Sequence, residues 1–487
     1  MKDKPNIVFI LTDDQGYWAL GCNGNSEIRT PNLDALARDG IRFENFFCTS
    51  PVCSPARASI LTGKIPSQHG VHDWIVGGNG ESDNIDRGGT KERIEYLKGQ
   101  TGYTDILAQN GYICGISGKW HLGDSHTPQK SFSHWFVFGG GASKYFNAVM
   151  INEKGESIEV SEYLTDVITD DAIGFIEKNA GGDKPFYISV HYNAPHRPWI
   201  NNHPKELVES YDDCPFESCP SEPMHPWLTH WRGANGDRDD APDRECLKEY
   251  FAAVTAMDAN VGRIMKKLDE LGIRENTLVC FMSDNGLNCG HHGIWGKGNG
   301  TFPQNMYDTS VKVPFIVSHP GRIPKGVVCD SLLSQYDFMP TLLDYVGLKN
   351  PESDKLPGKS FLPILEGGNM DGHEHLVVFD EYGPVRMIRT REWKYIHRYP
   401  YGPCELYDLV ADPDERNNLI DDKSKEELII SMRGEMEKWF LKYADPEVDA
   451  KSAGVTGTGQ KALAGVKSNG KSPYAQLAPI QGPKPLY

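Results

Sequence analysis

The feature that most constrains the fold is a series of short apolar segments that alternate with helical patterns along the chain. The segments are rich in β-branched and aromatic residues, as buried strands are. They span residues 7–11, 112–116, 186–190, 278–282 and 313–317. Helical patterns lie between them, at residues 31–38, 163–178 and 247–271. Strands that alternate with helices predict an α/β fold with a large, mostly parallel sheet sandwiched by helices.

A connection with proline and glycine near residues 350–361 predicts a boundary after this sheet. Beyond it, short strand patterns and a helical pattern at 425–443 predict a smaller C-terminal α+β subdomain. From about residue 445 the chain becomes rich in Gly, Ser, Lys and Ala, which predicts an irregular tail that either wraps the body or stays mobile. The predicted units are a large domain over residues 1–360, the subdomain over 361–445 and the tail over 446–487.

The formal net charge of −17 argues against nucleic-acid binding, because that binding depends on Lys and Arg neutralising phosphates. A site for an anionic substrate must therefore be locally positive. No apolar run approaches the length of a membrane span, so we expect no transmembrane segment. Eleven cysteines without regular spacing argue against a disulfide scaffold, although a single bridge such as Cys214–Cys219 stays open.

The chain begins with Met1 and runs directly into an apolar strand, without the hydrophobic region of a signal peptide. Two locations are compatible with this start. One is the cytoplasm, and the other is the periplasm or the extracellular space after a leader has been removed. The sequence distinguishes neither the location nor the oligomeric state.

Polar clusters follow several predicted strands, and the carboxyl ends of such strands meet where ligands bind in α/β sheets. Asp13 and Asp14 follow the first strand, and Asp284 and Asn285 follow the fourth. Either pair alone is more often a strand-end turn, where Asp and Asn are common. Three carboxylates brought together require a cation, and oxygen ligands favour Ca²⁺ or Mg²⁺. Together with the anion site described next, these residues predict a divalent metal site.

The segment Cys-Ser-Pro-Ala-Arg, from Cys53 to Arg57, places a thiol and an arginine at the start of a predicted helix. Pro55 suits the first helical turn. The free N–H groups at a helix N-terminus attract anions, and Arg57 adds a permanent positive charge. An isolated cysteine here would more often be structural. Because the rest of a site is present elsewhere in the chain, the segment favours a nucleophile that attacks a sulfate or phosphate ester.

This segment, followed by Leu-Thr-Gly, resembles the signature of the type I sulfatases of the alkaline-phosphatase-like superfamily. The resemblance extends over residues 5–413 and implies that residues 1–360 form the catalytic domain. It implies that a formylglycine-generating maturase oxidises Cys53 to formylglycine (3-oxoalanine). The hydrate of that aldehyde attacks sulfur in the family and then releases sulfate. Asp13, Asp14, Asp284 and Asn285 match the family's metal ligands, which bind predominantly Ca²⁺, and residue 53 completes the coordination.

Lys119 and His121, in Gly-Lys-Trp-His-Leu-Gly, match a second block of the family. On an extended segment both side chains would lie on one face. There they could bind a sulfate oxygen and assist the leaving alkoxide. His196 resembles the family's second active-site histidine, and Lys297 its other sulfate-binding lysine. The catalytic set implied by the resemblance is Cys53, Arg57, Lys119, His121, His196 and Lys297.

Loops between these blocks are expected to set specificity. Aromatic and hydrogen-bonding side chains in the loops suit a sugar ring, so a sulfated carbohydrate is the predicted substrate, with a galactose-type residue at a chain end as the more specific expectation. The candidate substrate-binding residues are His72, Asp73, Trp74, His134, Arg197 and Trp199. For each tryptophan, packing of a loop onto the body is an equally good interpretation.

Three other functions stay open at this point. A phosphonate monoester or phosphodiester hydrolase of the same superfamily shares the fold and can share the modified cysteine. A non-catalytic sulfoglycan-binding protein would keep Cys53 as a thiol and bind without turnover. An enzyme that uses the thiol of Cys53 directly would be inactivated by alkylation.

Overall fold

The computed structural model describes residues 4–80, 92–228, 243–368, 378–468 and 470–475. These residues contain eighteen strands: β1 (Asn6–Thr12), β2 (Ile41–Phe43), β3 (Phe46–Phe47), β4 (Ile113–Lys119), β5 (His134–Phe138), β6 (Ala148–Ile151), β7 (Ser157–Val160), β8 (Phe186–His191), β9 (Thr277–Ser283), β10 (Asn288–Cys289), β11 (Trp295–Gly296), β12 (Phe315–Ser318), β13 (Val327–Cys329), β14 (Leu333–Ser334), β15 (Val378–Tyr382), β16 (Val385–Arg389), β17 (Trp393–Arg398) and β18 (Glu405–Asp408).

The same residues contain eleven α-helices: α1 (Pro31–Arg38), α2 (Cys53–Thr62), α3 (Pro66–His69), α4 (Tyr103–Gln109), α5 (Leu164–Asn179), α6 (Lys205–Glu209), α7 (Asp243–Glu270), α8 (Asp308–Val311), α9 (Phe338–Tyr345), α10 (Leu362–Leu365) and α11 (Glu426–Tyr443). Five of the strands and four of the helices lie where the apolar runs and helical patterns predict them. They are β1, β4, β8, β9 and β12, with α1, α5, α7 and α11.

Ten strands form one sheet in the order β13-β2-β12-β9-β1-β8-β4-β5-β6-β7. The central strands β9, β1, β8, β4 and β5 are parallel to one another. Strand β12 runs antiparallel to β9, and β6 runs antiparallel to β5. The predicted large, mostly parallel sheet is therefore confirmed, with antiparallel strands on both sides of its parallel centre.

Alternate residues of β1 enter two hydrophobic cores on opposite faces of this sheet. Phe9 and Leu11 belong to one core, and Val8 and Ile10 belong to the other. Because both faces of the strand are buried, its sequence is continuously apolar. Helices α2, α4 and α9 pack together over the first core, and α1, α5 and α7 pack together over the second. The predicted cover of helices on both faces is thus confirmed.

The smaller sheet is antiparallel and consists of β15, β16, β17 and β18. Helix α11 packs against β16 and β17 through Met432, Met436 and Phe440. This arrangement agrees with an α+β unit after the large sheet. The boundaries 1–360, 361–445 and 446–487 stay predictions.

The C-terminal tail lies against the body over residues 446–468 and 470–475. Its Gln460 forms short β-bridges with Ile75 and Tyr474, and Ala450 N donates to Ser67 Oγ at 3.0 Å. Of the two alternatives for the tail, wrapping is the one observed in these residues.

All eleven cysteines are free thiols, so a Cys214–Cys219 bridge does not form. Among the residues described, none of the helices combines the length and the apolar character needed to cross a bilayer.

Candidate active site

The candidate site lies at the carboxyl ends of the central strands, as expected for a parallel sheet. Asp13 and Asp14 stand at the end of β1, Lys119 ends β4 and Asp284 follows β9. Helix α2 starts at the same edge with Cys53. The structure therefore brings together side chains that are far apart in the sequence.

Cys53 is buried at the mouth of α2, with 2% of its surface exposed. Its Sγ lies 3.3 Å from Asp13 Oδ1 and accepts a hydrogen bond from Lys297 Nζ at 2.7 Å. Burial and the charge of Asp13 raise the pKa of the thiol to about 12. The unmodified thiol is therefore protonated at neutral pH, which argues against its direct use as a nucleophile.

Arg57 is paired with Asp284 in the buried part of the site. Arg57 Nε donates to Asp284 Oδ2 at 2.9 Å, and Nη2 lies 2.8 Å from the same oxygen as part of the ion pair. The other oxygen, Oδ1, accepts hydrogen bonds from the backbone N–H groups of Asn285 and Asp14 at 2.8 and 3.2 Å. Burial and the charge of Asp13 outweigh Arg57 and raise the pKa of Asp284 to about 6. Asp284 thus connects the ends of β1 and β9 to α2.

Asp14 is the second point at which several groups converge. Its Oδ1 accepts from Asn285 Nδ2 at 2.8 Å and forms an ion pair with Lys297 Nζ. Its Oδ2 lies 3.5 Å from His196 Nε2. Burial alone would raise the pKa of Asp14, but the charge of Lys297 and the hydrogen bonds from Lys297 and Asn285 outweigh it and hold that pKa well below its ordinary value. Asp14 is therefore ionised and held between two site residues.

Lys119 and His121 approach the same residue, Gly141. Lys119 Nζ pairs with Asp13 Oδ2 and donates to the Gly141 carbonyl, and a Cβ added at Gly141 would lie 3.1 Å from the His121 ring. The expectation of an extended segment is wrong at His121, because β4 ends at Lys119 and His121 has a φ of 52°. Trp120 packs against Trp135, with ring centroids 5.0 Å apart, as expected.

The tautomer of His121 follows from the one hydrogen bond that its ring makes within the described residues. His121 Nε2 lies 2.9 Å from the Ile75 carbonyl, which only accepts, so Nε2 carries the proton. Burial and the charge of Lys119 lower the pKa of His121 well below its ordinary value, so the ring is neutral. Its Nδ1 is buried and has no hydrogen-bond partner among the described residues. A bound ligand could therefore donate to His121 Nδ1.

His196 has the opposite tautomer. Its Nδ1 lies 2.6 Å from the Arg197 carbonyl, so Nδ1 carries the proton and Nε2 faces Asp14. Burial lowers the pKa of His196 to about 3, although the charge of Asp14 opposes this shift. His196 Nε2 and Asp14 Oδ2 thus face each other without a proton between them. This arrangement suits a bound cation or a proton donor on a ligand.

The donor set fits a metal ion. Ligand atoms of Asp13, Asp14, Cys53 and His196 all lie within 4.8 Å of one another. Asn285 Oδ1 is buried beside them and has no hydrogen-bond partner within the described ranges. A buried amide oxygen without a donor is costly, and a cation would satisfy it. Both oxygens of Asp284 are already occupied by hydrogen bonds, as are both oxygens of Asp13, which accept from Cys53 Sγ and Lys119 Nζ.

Two residues that support the site were not singled out from the sequence. Gln335 Nε2 donates to the carbonyls of Ser283 and Asp284 at 3.0 and 2.8 Å, which fixes the end of β9. Ser54 Oγ accepts from Ile75 N at 3.0 Å. Gln335 has no distinctive sequence context, whereas Ser54 could have been noticed as the neighbour of Cys53.

Two of the six candidate substrate-binding residues lie next to the site. Trp74 is half-buried, and its six-membered ring would lie 3.6 Å from a Cβ added at Gly141. Arg197 follows His196, and its guanidinium lies 5.2 Å from the centroid of the Trp199 ring. Their role in substrate binding stays a prediction.

The other four candidates have structural partners. His72 Nδ1 lies 2.6 Å from Tyr474 OH, and the buried Asp73 accepts from Tyr382 OH at 2.5 Å. Trp199 is buried and donates to the Pro195 carbonyl at 2.7 Å. His134 lies at the start of β5, and it is the opposite end of that strand that pairs with Lys119. The Nε2 of His134 lies 2.9 Å from Asp171 Oδ2. These contacts give each of the four residues a structural role. A role in substrate binding stays a prediction for all four.

Family models and sequence relatives identify the chain as a sulfatase. A family model described as Sulfatase matches residues 5–348, and one described as N-sulphoglucosamine sulphohydrolase, C-terminal, matches residues 290–442. An N-acetylglucosamine-6-O-sulfatase of Bacteroides thetaiotaomicron is 28% identical, over 92% of this chain and 88% of the relative. An N-acetylgalactosamine-6-sulfatase of Canis lupus familiaris is 31% identical, over 75% of this chain and 67% of the relative.

Among solved structures, one similar protein was determined in complex with its substrate D-glucosamine-2-N,6-O-disulfate. It superimposes with a TM-score of 0.75 at 26% identity, and the match covers 92% of this chain and 99% of the other. The match therefore spans both the large sheet and the smaller antiparallel sheet.

Proposed function

Because the chain belongs to the sulfatase family, we propose that it hydrolyses the sulfate ester of a sulfated carbohydrate at the site around Cys53. The observation that carries this proposal is the position of Cys53 Sγ, 2.7 Å from Lys297 Nζ and 3.3 Å from Asp13 Oδ1. A reactive group at residue 53 would have a buried cation on one side and a potential metal ligand on the other.

The charges of the site suit a singly charged sulfate ester. Three buried cations face three buried carboxylates in this cluster: Arg57, Lys119, Lys297, Asp13, Asp14 and Asp284. These charges balance, so a bound divalent cation would leave the site with a charge of about +2. A protein with a net charge of −17 can thus hold an anion in a locally positive, water-poor site.

We infer that the metal is Ca²⁺ and that Asp13, Asp14, Asp284 and Asn285 hold it together with residue 53. Sulfatases generally use a metal ion, and the oxygen donors here favour a hard cation. Mg²⁺ is the alternative, but its stricter octahedral geometry fits a crowded carboxylate cluster less well. When bound, the cation would polarise a sulfate oxygen and lower the pKa of a hydroxyl group at residue 53.

The nucleophile requires a change at Cys53. Conversion to formylglycine by a maturase would supply an aldehyde hydrate, with one hydroxyl group for attack and a second for release of sulfate. Around it, Arg57, Lys119 and Lys297 neutralise the sulfate charge. The ammonium group of Lys297 stabilises the leaving oxygen by a hydrogen bond, because His196 Nε2 carries no proton here. His121 Nδ1 accepts a proton, because it is the nitrogen left without a partner in the described structure.

The substrates of the relatives suggest a narrower substrate class for this chain. Two of them are 6-sulfatases of N-acetylated hexosamines, and the solved complex contains a glucosamine with a 6-O-sulfate. We therefore take a 6-O-sulfated hexosamine as the substrate class of this chain. The expected galactose-type sugar stays a prediction, and N-acetylgalactosamine 6-sulfate is the compound that tests it.

The test is sulfate release by protein that has been produced together with a formylglycine-generating maturase. The substrates are N-acetylglucosamine 6-sulfate, N-acetylgalactosamine 6-sulfate and a matched pair of an aryl sulfate and an aryl phosphodiester. We expect free sulfate from at least one 6-sulfated sugar, a higher kcat/KM for the aryl sulfate than for the diester, and no turnover by Cys53→Ala. Faster cleavage of the diester would favour the phosphonate or phosphodiester hydrolase, and binding without turnover would favour a sulfoglycan-binding protein.

A further inference from the structure

One residue of the C-terminal tail, Gln460, is fully buried and makes hydrogen bonds throughout the loop at residues 70–76. Its Oε1 accepts from His72 N at 2.7 Å, and its Nε2 donates to the Gly70 carbonyl at 3.0 Å. Its backbone N–H donates to the Trp74 carbonyl at 2.7 Å. Both ends of the side-chain amide and the backbone are thus used, so Gln460 fixes the conformation of this loop.

The same loop contacts the site on two sides through Ile75. The Ile75 N–H donates to Ser54 Oγ at 3.0 Å, next to Cys53 in the sequence. The Ile75 carbonyl accepts from His121 Nε2 at 2.9 Å. This bond determines the tautomer of His121 and leaves Nδ1 without a partner among the residues that the structure describes. The position of Ile75 therefore determines where that nitrogen points.

The tail also holds the indole that lies beside the site. The Gly457 carbonyl accepts from Trp74 Nε1 at 3.0 Å, and the Gly459 N–H donates to Asp73 Oδ2 at 3.0 Å. These bonds lie within three residues of Gln460. The segment at residues 457–460 therefore fixes a loop that reaches the site with both its backbone and its side chains.

We propose that residues 457–460 are part of the active-site framework and that Gln460 is a positioning residue, which orients His121 through Ile75. This inference rests on the proposed function, because the orientation of His121 matters for the rate only if the site is catalytic. Removal of the Gln460 amide leaves the buried Gly70 carbonyl and the His72 N–H without partners, so the loop must shift. A shift of about 1 Å at a catalytic group can lower a rate about 100-fold.

The first experiment compares Gln460→Ala with Asp449→Asn in maturase-modified protein. Asp449 anchors the tail elsewhere, because it pairs with Arg386 and accepts from Ser67 Oγ at 3.3 Å. We expect Gln460→Ala to lower kcat about 10- to 100-fold with the aryl sulfate and with the 6-sulfated sugar alike. Asp449→Asn should change kcat less than about twofold, although we expect it to lower Tm about as much as Gln460→Ala does. Equal effects of the two variants on kcat would overturn the proposal.

A double-mutant cycle separates positioning of His121 from general damage. If Gln460 acts through His121, Gln460→Ala should change kcat less than about twofold when His121→Ala is already present. The same factor in both backgrounds would mean that Gln460 does not act through His121.

A two-bond ¹H–¹⁵N spectrum of the histidine rings tests the positioning without turnover. The signals of His121 are those missing in His121→Ala. We expect them to shift in Gln460→Ala and to stay in place in Asp449→Asn. Unchanged His121 signals in Gln460→Ala would overturn the inference, even if the wild type released no sulfate and the proposed function itself were wrong.

Discussion

Lys297 Nζ donates a hydrogen bond to Cys53 Sγ at 2.7 Å, and the same ammonium group pairs with Asp14. Lys297 thus touches both the position of the nucleophile and a residue of the metal site. Its burial would lower its pKa, but the charges of Asp14 and Asp13 hold that pKa above its ordinary value. Lys297 is therefore a permanent cation at the point where sulfate charge would develop.

The first prediction concerns this cation. Lys297→Ala removes one donor that faces the reacting group, and the loss of such a donor lowers kcat about 100- to 1,000-fold. The control is Lys205→Ala, because Lys205 lies at the surface, with 85% of its side chain exposed, and pairs only with Glu209 among the described residues. Steady-state kinetics on the aryl sulfate checks the prediction, and a kcat within twofold of wild type for Lys297→Ala would contradict it.

The second prediction concerns the buried pair of Arg57 and Asp284. Arg57→Ala leaves Asp284 buried without its positive partner, so we expect the free energy of unfolding to fall by about 3–5 kcal/mol. Arg416→Ala is the matched control, because Arg416 forms a comparable ion pair with Glu222 but has 39% of its side chain exposed. That variant should lose less than about 1 kcal/mol. Denaturant unfolding measures both values, and equal losses would argue against a buried pair at Arg57.

The third prediction uses two glycines. Gly118 precedes Lys119, has a φ of 109°, and a Cβ there would lie 1.9 Å from the His191 carbonyl oxygen. We expect Gly118→Ala to destabilise the protein by about 2 kcal/mol or more and to lower activity by displacing Lys119. Gly174 lies in the exposed part of α5 with open space around it. Gly174→Ala should therefore stabilise by about 0.5–1 kcal/mol. Thermal unfolding measures the stability of both variants. A Gly118→Ala variant more stable than Gly174→Ala would show that the backbone at residue 118 does not require glycine.

The fourth prediction concerns the metal. Removal of divalent ions with a chelator should abolish sulfate release, and Ca²⁺ should restore it. At a concentration 100 times its Kd, Ca²⁺ should stabilise the protein by about 2.7 kcal/mol. Asn285→Ala removes the buried oxygen that has no partner in the described residues and should weaken Ca²⁺ binding about 10-fold or more.

Calorimetric titration of chelator-treated protein with Ca²⁺ measures whether Asn285→Ala binds the ion more weakly than the wild type. Asn152→Ala is the control, because Asn152 lies in the turn between β6 and β7, where its side chain bonds to Glu156. That variant should bind Ca²⁺ like the wild type. Full activity in excess chelator would contradict the metal site.

The fold and the centre of the site could be predicted because each depends on a short pattern. A strand buried on both faces, such as β1, has a continuous apolar sequence, and its end is marked by Asp13 and Asp14. The carboxyl ends of parallel strands must meet, so polar residues at those ends come together wherever they stand in the chain. That reasoning placed Asp284 beside Asp14 without any structure.

The surroundings of the site could not be predicted because they depend on long-range contacts. His72 and Asp73 stand in a loop-like sequence that suits a sugar, but the tail covers them through Tyr474 and Gly459. Nothing in the composition of the tail indicates that Gln460 is buried. The backbone of His121 likewise departs from an extended conformation, because β4 ends two residues earlier.

The mass of the peptide that carries Cys53 shows whether residue 53 becomes the nucleophile, when the protein is produced with a formylglycine-generating maturase. We expect an aldehyde in place of the thiol, and a sulfate-releasing activity that rises with the modified fraction. Protein produced without the maturase provides the reference mass of the thiol form. An intact thiol in protein that still releases sulfate would mean that the nucleophile is a group other than a modified residue 53.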